Sequence, residues 1–222
     1  MDTIFRGELS TASGRLLAWV DSLLIDHGIF RLFWTNAAVV VPGRLYRCNH
    51  PTPARLARYT RRWGLRSVIN LRGGAANGSE ALVHEMADRL GLCCIDVPIS
   101  SRRARKANLL ALCEAFARVP EPALIYCKSG ADRTGFAAGV FLLLNGAGTK
   151  EALAQLSWRF GHFRGSQTGI LDRLFLRYAA EAEGRKPFAE WLREDFDETA
   201  LAQDFVPKKL ISLIGDYLLA RE

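Results

Sequence analysis

The sequence ALIYCKSGADRTGFAAGVFLLL, residues 123–144, decides the fold and contains most of the residues that carry chemistry. Its first four residues are apolar and predict a buried strand, while its last nine predict an apolar helix. Between them, CKSGADRTG (residues 127–135) contains a glycine that allows a tight turn. A strand, a loop and a helix N-terminus together gather backbone N–H groups, a thiol and a guanidinium around one cavity. Such a cavity is suited to binding an anion.

Several residues of this loop have the chemistry of a phosphoryl-transfer site. The planar guanidinium of Arg133 can hold two phosphate oxygens at once. The helix N-terminus and the nearby cations favour the thiolate form of Cys127, which is its nucleophilic form. A buried structural cysteine is the alternative interpretation of Cys127. We predict that Cys127 is the nucleophile and that the phosphate is bound by Lys128, Ser129, Gly130, Ala131 and Arg133.

The loop resembles the signature of the cysteine-dependent protein tyrosine and dual-specificity phosphatases. In that signature Cys, five residues and Arg are followed by Ser or Thr, as in Cys127, Arg133 and Thr134 here. The resemblance implies a hydrolase without metal or cofactor, which forms a phosphocysteine on Cys127 and releases phosphate by hydrolysis. It also implies that Thr134 hydrogen-bonds the departing sulfur. The segments GRLYR (43–47) and SVINLR (67–72) are similar to the front half of atypical bacterial dual-specificity phosphatases.

The chain departs from the family pattern at the residue before the nucleophile. It also contains two candidates for the general acid. Tyr126 stands where most members have His, so one positive charge is missing beside the thiol. Asp132 directly precedes the arginine, as in some bacterial and lipid phosphatases of the superfamily. Asp96 lies 31 residues before Cys127, near the usual spacing of a separate acid loop. We favour Asp132, because Asp96 falls inside a predicted strand.

Three further candidates lie outside the loop. Arg72 follows a predicted buried strand and is a candidate for facing the pocket. Gln167 is a candidate for orienting the hydrolytic water, as glutamines do in some relatives. The basic residues of segment 102–106 fit a multiply phosphorylated substrate, with a solvated helix start as the alternative. We interpret His162 as a histidine of a helix end or loop.

Composition restricts the class of protein and its surroundings. The chain has 222 residues, of which 49% are hydrophobic, so a globular protein is expected. Its net charge of +7 fits an anionic substrate, and the absence of zinc-finger spacing or an RNA-binding aromatic motif argues against nucleic acid. The five cysteines form no CxxC pair, and no secretory signal is visible. These features predict a cytoplasmic protein without a metal site.

The N-terminal stretch of residues 16–34 is apolar but contains too many charges for a membrane span. We predict an amphipathic helix that packs on the domain. Weak association with a membrane surface through Phe30, Phe33 and Trp34 is the alternative.

Strands alternate with helices along the chain, which predicts an α/β fold with a largely parallel sheet of four to five strands flanked by helices. We divide the chain into an N-terminal helical extension (1–37), a phosphatase domain (38–196) and a C-terminal helical appendage (197–222). After the loop, helices are predicted over residues 150–160, 169–183, 187–196 and 207–220.

The predicted function is that of a cysteine-dependent phosphatase of the protein tyrosine or dual-specificity type, acting on a phosphorylated protein. The first alternative is a phosphoinositide or inositol polyphosphate phosphatase, because Lys128 and the basic segment add positive charge. The second is a non-catalytic phosphate-binding module, because position 126 lacks His and the acid is open. Formation of a phosphocysteine on Cys127 separates the enzyme from the binding module.

Overall fold

A computed structural model describes residues 3–6, 8–26, 28, 33–74 and 76–205 of the chain. At its centre lies a five-stranded sheet with the order β1-β2-β5-β3-β4. β1 runs antiparallel to β2, and the other neighbouring strands are parallel. The architecture confirms the predicted α/β fold with a largely parallel sheet. The strands are β1 (Ala38–Val41), β2 (Leu45–Asn49), β3 (Ser67–Asn70), β4 (Cys93–Asp96) and β5 (Ala123–Cys127).

The central strand β5 is buried along its whole length, in agreement with its uninterrupted apolar sequence. It lies between β2 and β3, and the register pairs its last residue, Cys127, with Asn49 at the end of β2. Ligands of parallel sheets bind beyond the carboxyl ends of the strands. The nucleophile candidate therefore lies where such a sheet places its binding site.

Helices cover both faces of the sheet. They are α1 (Ala12–Val20), α2 (Pro53–Trp63), α3 (Gly78–Arg89), α4 (Lys106–Arg118), α5 (Asp132–Leu144), α6 (Thr149–Ala154), α7 (Ile170–Glu181), α8 (Phe188–Glu194) and α9 (Glu198–Gln203). Among the residues that the structure describes, no helix combines the length and the apolar character that crossing a membrane requires. The helix predicted over residues 207–220 lies outside the described residues.

The N-terminal helix differs from its predicted limits of 16–34. α1 begins at Ala12, where the Thr11 hydroxyl caps it, and continues as a π-helix over Asp21–Ile25. Phe33 and Trp34 follow outside regular helix, and Phe30 lies outside the described residues.

α1 packs on α3 as predicted for a helix that covers the domain. A Cβ atom at Gly78 would lie 2.4 Å from the backbone oxygen of Ala18, so the two backbones approach closely. Phe5, Ala18 and Leu82 form a small core of their own at this contact. The N-terminal segment is thereby held against the helix that begins beside the site.

Close packing of α5 against α6 places the chain after α6 beside the loop. A Cβ atom at Gly135 would lie 2.5 Å from the backbone oxygen of Gln155, so the glycine after Thr134 permits this approach. The predicted helix over residues 150–160 is wrong in its second half, because α6 ends at Ala154. A 3₁₀ turn over Trp158–Phe160 follows and ends at Gly161, with a φ of 85°.

Candidate active site

The loop between β5 and α5 has the predicted strand–loop–helix geometry. It runs from Cys127, the last residue of β5, to Asp132, the first residue of α5. Gly130 has a φ of 74°, and a Cβ atom there would lie 2.7 Å from the backbone nitrogen of Asn49 and 2.9 Å from the Cβ of Asn36. Glycine is therefore required at this position for both backbone conformation and space.

Three consecutive carbonyl groups of the loop are bound from outside. The Lys128 oxygen accepts from the backbone N–H of His50 at 3.3 Å. The Ser129 oxygen accepts from Asn36 Nδ2 at 2.8 Å, and the Gly130 oxygen accepts from Arg47 at 2.7 Å. Because carbonyl and N–H groups of a peptide point in opposite directions, this arrangement turns the N–H groups toward the inside of the loop. The loop thus forms an anion nest at the N-terminus of α5.

Arg47 and Asn36 shape this loop, and sequence reasoning missed both as functional residues. The Arg47 side chain is fully buried, bonds Gln155 on its other side at 2.9 Å, and lies over the Phe160 ring. Burial lowers the pKa of Arg47 to about 10, so it keeps its charge at neutral pH. An arginine within a buried strand was the available signal, because such a charge needs partners.

The loop brings the predicted chemical groups together. Cys127 is 2% exposed, Arg133 is half-buried, and Ala131 and Lys128 are buried. The Thr134 hydroxyl is also buried, and no hydrogen-bond partner for it lies among the described residues. A buried hydroxyl at the start of α5 that is not used in folding is available to a ligand or to the thiol sulfur.

Asp132 belongs to a chain of charged groups on one side of the loop, of which the carboxylates and the imidazole are buried. Its Oδ1 atom lies 2.7 Å from Nδ1 of His162, and Nε2 of the same ring lies 2.5 Å from Oδ2 of Asp172. Oδ1 of Asp172 also lies 3.0 Å from Nε of Arg164, at ion-pair distance. We call these four residues the histidine chain. His162 lies in a loop, as predicted, but its contact with Asp132 was not foreseen.

The histidine chain favours the protonated form of its imidazole. Burial alone would lower the pKa of His162. The hydrogen bonds and negative charges of Asp132 and Asp172 outweigh burial and raise it above its ordinary value of 6.5. A protonated imidazole donates from both nitrogens, which fits the two carboxylates that face it.

On the other side of the loop, Arg72 and Lys128 belong to a second charged cluster. Both terminal nitrogens of Arg72 donate to Asp26 at 2.9 Å, and the guanidinium also lies 3.1 Å from Glu80. Nζ of Lys128 lies 3.8 Å from Asp26. Arg72 therefore pairs with carboxylates of the N-terminal segment and of α3. The sequence makes Arg72 a candidate for facing the pocket but does not predict these ion pairs.

Glu80 is the centre of this second group, which we call the Glu80 cluster (Asp26, His50, Arg72, Glu80, Tyr126 and Lys128). Tyr126 donates to Glu80 at 3.0 Å, and His50 Nε2 lies 3.3 Å from it. Burial alone would raise the pKa of Glu80, but His50, Arg72 and the Tyr126 hydroxyl lower it to about 2. Burial, followed by the charge of Glu80, raises the pKa of Tyr126 well above 10, so Tyr126 stays a neutral donor.

Asp96, the second acid candidate, lies away from the loop. It ends β4, which is separated from β5 by β3, and its side chain is 35% exposed. Its Oδ1 accepts from Asn70 at 2.8 Å and lies 3.2 Å from the His84 ring. The geometry favours Asp132, which shares the loop with the nucleophile candidate.

Gln167 and the predicted basic segment line the same cavity. Gln167 begins a 3₁₀ turn, Gln167–Gly169, directly before α7. The cavity has a volume of about 830 Å³, and its polar lining includes Arg102, Arg103, Arg105, Gln167 and Glu198. Gln167 is thus placed next to a concentration of positive charge, and its predicted contact with the hydrolytic water stays a prediction.

Comparison with family models matches residues 84–155 to the tyrosine phosphatase family, and this range includes the whole loop. A comparison with curated protein sequences found no significant match. Among solved structures, a putative phosphatase (DUF442) from Shewanella putrefaciens is 15% identical and covers 68% of this chain and 95% of its own, with a TM-score of 0.51.

Two further solved structures are similar at lower TM-scores. TpbA of P. aeruginosa is 20% identical over 64% of this chain and 91% of its own, with a TM-score of 0.46. The core catalytic domain of the PP-IP phosphatase SIW14 of S. cerevisiae is 20% identical over 76% and 89%, with a TM-score of 0.47. Of the three, the Shewanella structure exceeds a TM-score of 0.5, and its likeness concerns the fold alone.

Proposed function

We propose that this chain is a cysteine-dependent phosphatase that hydrolyses phosphomonoesters through a phosphocysteine on Cys127, and the match of residues 84–155 to the tyrosine phosphatase family supports the proposal. One observation carries this proposal. Three consecutive loop carbonyls are bound from outside, so the N–H groups of the loop that carries Cys127 and Arg133 turn inward. Donors arranged in this way stabilise the charge of a transferring phosphoryl group.

The reaction proceeds in two displacements. The Cys127 sulfur attacks phosphorus, the S–P bond forms, and the P–O bond to the leaving group breaks while Asp132 supplies a proton to the leaving oxygen. Water then attacks phosphorus, the S–P bond breaks, and inorganic phosphate leaves. Arg133 and the loop N–H groups hold the phosphate oxygens, and the Thr134 hydroxyl donates a hydrogen bond to the sulfur.

We propose phosphorylated proteins as the substrate class, of the phosphotyrosine or dual-specificity type. The arginine-lined cavity favours a second candidate, a phosphoinositide or inositol polyphosphate, because its guanidinium groups fit additional phosphates. We place the protein in the cytoplasm, because the reaction requires a reduced Cys127. All five cysteines are free thiols.

Phosphate release from a panel of substrates tests both the activity and the substrate class. The panel contains a phosphotyrosine peptide, a phosphoserine peptide, phosphoinositides and inositol polyphosphates, all with EDTA present. We expect release that is abolished in Cys127→Ser, together with a phosphocysteine that can be trapped on the wild-type chain after acid quenching. A folded, reduced protein that binds phosphate but forms no phosphocysteine would instead be a phosphate-binding module.

The arginine-lined cavity is tested by Arg103→Ala and Arg105→Ala, with Arg118→Ala as a control on the same helix region but outside the cavity. If the cavity binds additional phosphates, the two variants should raise KM for an inositol polyphosphate and leave KM for p-nitrophenyl phosphate unchanged. Equal KM values in all variants would argue for a phosphoprotein substrate.

A further inference from the structure

A buried imidazole stands between two carboxylates directly beside the loop. His162 is 2% exposed, and each of its ring nitrogens faces one carboxylate, Asp132 at 2.7 Å and Asp172 at 2.5 Å. An ionised carboxylate only accepts hydrogen bonds, and an imidazole donates from both nitrogens only when it is protonated. The histidine chain is therefore built to hold an imidazolium next to the residue that precedes Arg133.

We propose that His162 is a positioning residue for the phosphatase reaction, which stores the proton that Asp132 delivers to the leaving group and takes it back during hydrolysis of the phosphocysteine. The inference rests on the proposed function and adds to it the source of the proton. It concerns a residue that the loop signature does not contain.

Asp132 on its own is poorly suited to keep a proton at neutral pH. It is 4% exposed and lies at the N-terminus of α5, and the Arg47 guanidinium beside the loop adds positive charge. A helix N-terminus and a nearby cation both favour the ionised carboxylate. A general acid must nevertheless hold a proton when the P–O bond breaks. The neighbouring imidazolium of His162 provides it through Nδ1.

The proton balance closes over one turnover. As the P–O bond breaks, the proton on Nδ1 of His162 passes to Asp132 and from Asp132 to the leaving oxygen, so the imidazole becomes neutral and Asp132 is ionised again. When water attacks the phosphocysteine, the S–P bond breaks and the proton of the water passes through Asp132 back to Nδ1. The cycle ends with a thiolate, an imidazolium and inorganic phosphate, and no oxidant, reductant or metal takes part.

Asp172 and Arg164 complete the chain at its far end. Asp172 on α7 accepts from Nε2 and fixes the ring so that Nδ1 points at Asp132. Arg164 pairs with Asp172 at 3.0 Å, and its side chain is 65% exposed. The charged groups that contact His162 among the described residues are Asp132 from α5 and Asp172 from α7, and Arg164 from its own loop pairs with Asp172. Two negative charges in contact with the ring explain why its pKa is raised despite burial.

The test compares leaving groups, because a good leaving group departs without a proton and a poor one does not. Rates of His162→Asn are measured with a series of substituted phenyl phosphates from p-nitrophenyl phosphate to phenyl phosphate. We expect a loss of about 100-fold for phenyl phosphate and only a few-fold for p-nitrophenyl phosphate. His84→Asn is the matched control, because His84 also contacts an aspartate but lies outside the chain, and it should leave the series unchanged.

A pH profile gives a second readout that a purely structural residue would not change. With phenyl phosphate, the wild-type rate should fall as pH rises through the raised pKa of His162. In Asp172→Asn the ring loses one negative neighbour, so this fall should occur at lower pH. Asp172→Asn also serves as the variant to use if His162→Asn does not fold.

The outcomes separate the inference from the function on which it rests. If the wild-type chain releases no phosphate in a manner that depends on Cys127, the proposed function is wrong and the inference falls with it. If release depends on Cys127 but His162→Asn slows every phenyl phosphate by the same factor, or none, the activity stands and the proton role of His162 is overturned. An unmoved pH profile in Asp172→Asn would overturn it as well.

Discussion

The two charged groups that flank the loop differ in how their charges are connected. In the Glu80 cluster, one carboxylate meets Arg72, His50 and the Tyr126 hydroxyl, and Arg72 in turn meets Asp26. In the histidine chain, the imidazole bridges Asp132 and Asp172, and Asp172 pairs with Arg164.

Because of this difference, we expect the charges on one side of the loop to stay constant and the proton on the other side to move. Glu80, with a pKa of about 2, and an arginine keep their charges over the whole physiological pH range, so the Glu80 cluster provides a constant field and a rigid support. The imidazole of His162 is a titratable bridge between two carboxylates, with its pKa raised above 6.5 by their charges, so the histidine chain can gain and lose a proton during turnover. A buried ionic group with several opposite charges is fixed, and one held by a single titratable bridge can switch.

The largest effect on stability is expected from Glu80→Gln, which removes the central charge of the cluster and leaves buried cations less compensated. We expect the free energy of unfolding to fall by about 3–5 kcal/mol, as for other broken buried ion pairs. Urea unfolding followed by circular dichroism measures it. Glu85→Gln on the same helix is the control, because Glu85 pairs with the partly exposed Arg15 and should cost much less. Equal losses in both variants would remove the distinction between the cluster and a surface pair.

The next largest effect is a loss of stability at acidic pH that depends on Glu80. The pKa of Glu80 lies at about 2 in the folded chain against an ordinary value of 4.5, so its contribution is complete above pH 4.5 and is lost as pH falls toward 2. The difference corresponds to about 3 kcal/mol at neutral pH. Urea unfolding at a series of acidic pH values should show this loss in the wild type, and Glu80→Gln should lack that part of the pH dependence. A parallel decline in both proteins would contradict the role of Glu80.

A smaller effect is expected from Gly130→Ala, which disturbs the loop between the two groups without removing a charge. The left-handed backbone at this position costs an alanine about 1–2 kcal/mol, and its Cβ would also press on the Asn49 backbone. Gly146→Ala is the matched control, because Gly146 has a φ of 83° and no atom within 4 Å of its would-be Cβ. We expect a larger loss of thermal stability in Gly130→Ala than in Gly146→Ala, because only the former adds a clash to the strained φ, and loss of phosphatase activity in Gly130→Ala alone. Full activity in Gly130→Ala would show that the loop tolerates displacement.

The smallest effect concerns alkaline pH. Because the folded pKa of His162 is raised, its contribution to stability is complete below its ordinary value of 6.5 and is lost as pH rises through the raised value. Thermal unfolding between about pH 6 and about pH 9 should therefore show a decline that His162→Asn lacks. A decline of the same size in His162→Asn would mean that the histidine chain does not titrate in this range.

The sequence predicted what is local and missed what depends on distant contacts. The strand, the loop and helix α5 follow from one continuous stretch, and each was found because apolar runs and a glycine determine them within a few residues. The partner of Arg72 is Asp26, which lies 46 residues away and is placed by the packing of α1 on α3. The partner of Asp132 is His162, 30 residues away, which is placed by the close contact of α5 with α6. No local pattern encodes either pair.

The contacts of Asn36 show that residues before the first strand support the loop. Its amide donates to the Ser129 oxygen of the loop at 2.8 Å and to the Phe160 oxygen at 2.9 Å, while its own oxygen accepts from the Trp34 indole. A chain started at Ala38, the first residue of the sheet, would contain every residue of the loop signature but would lack this clamp and Asp26. A fragment chosen only because it contains the signature would therefore keep Cys127 but lose two side chains that hold the loop or its neighbouring cluster in place.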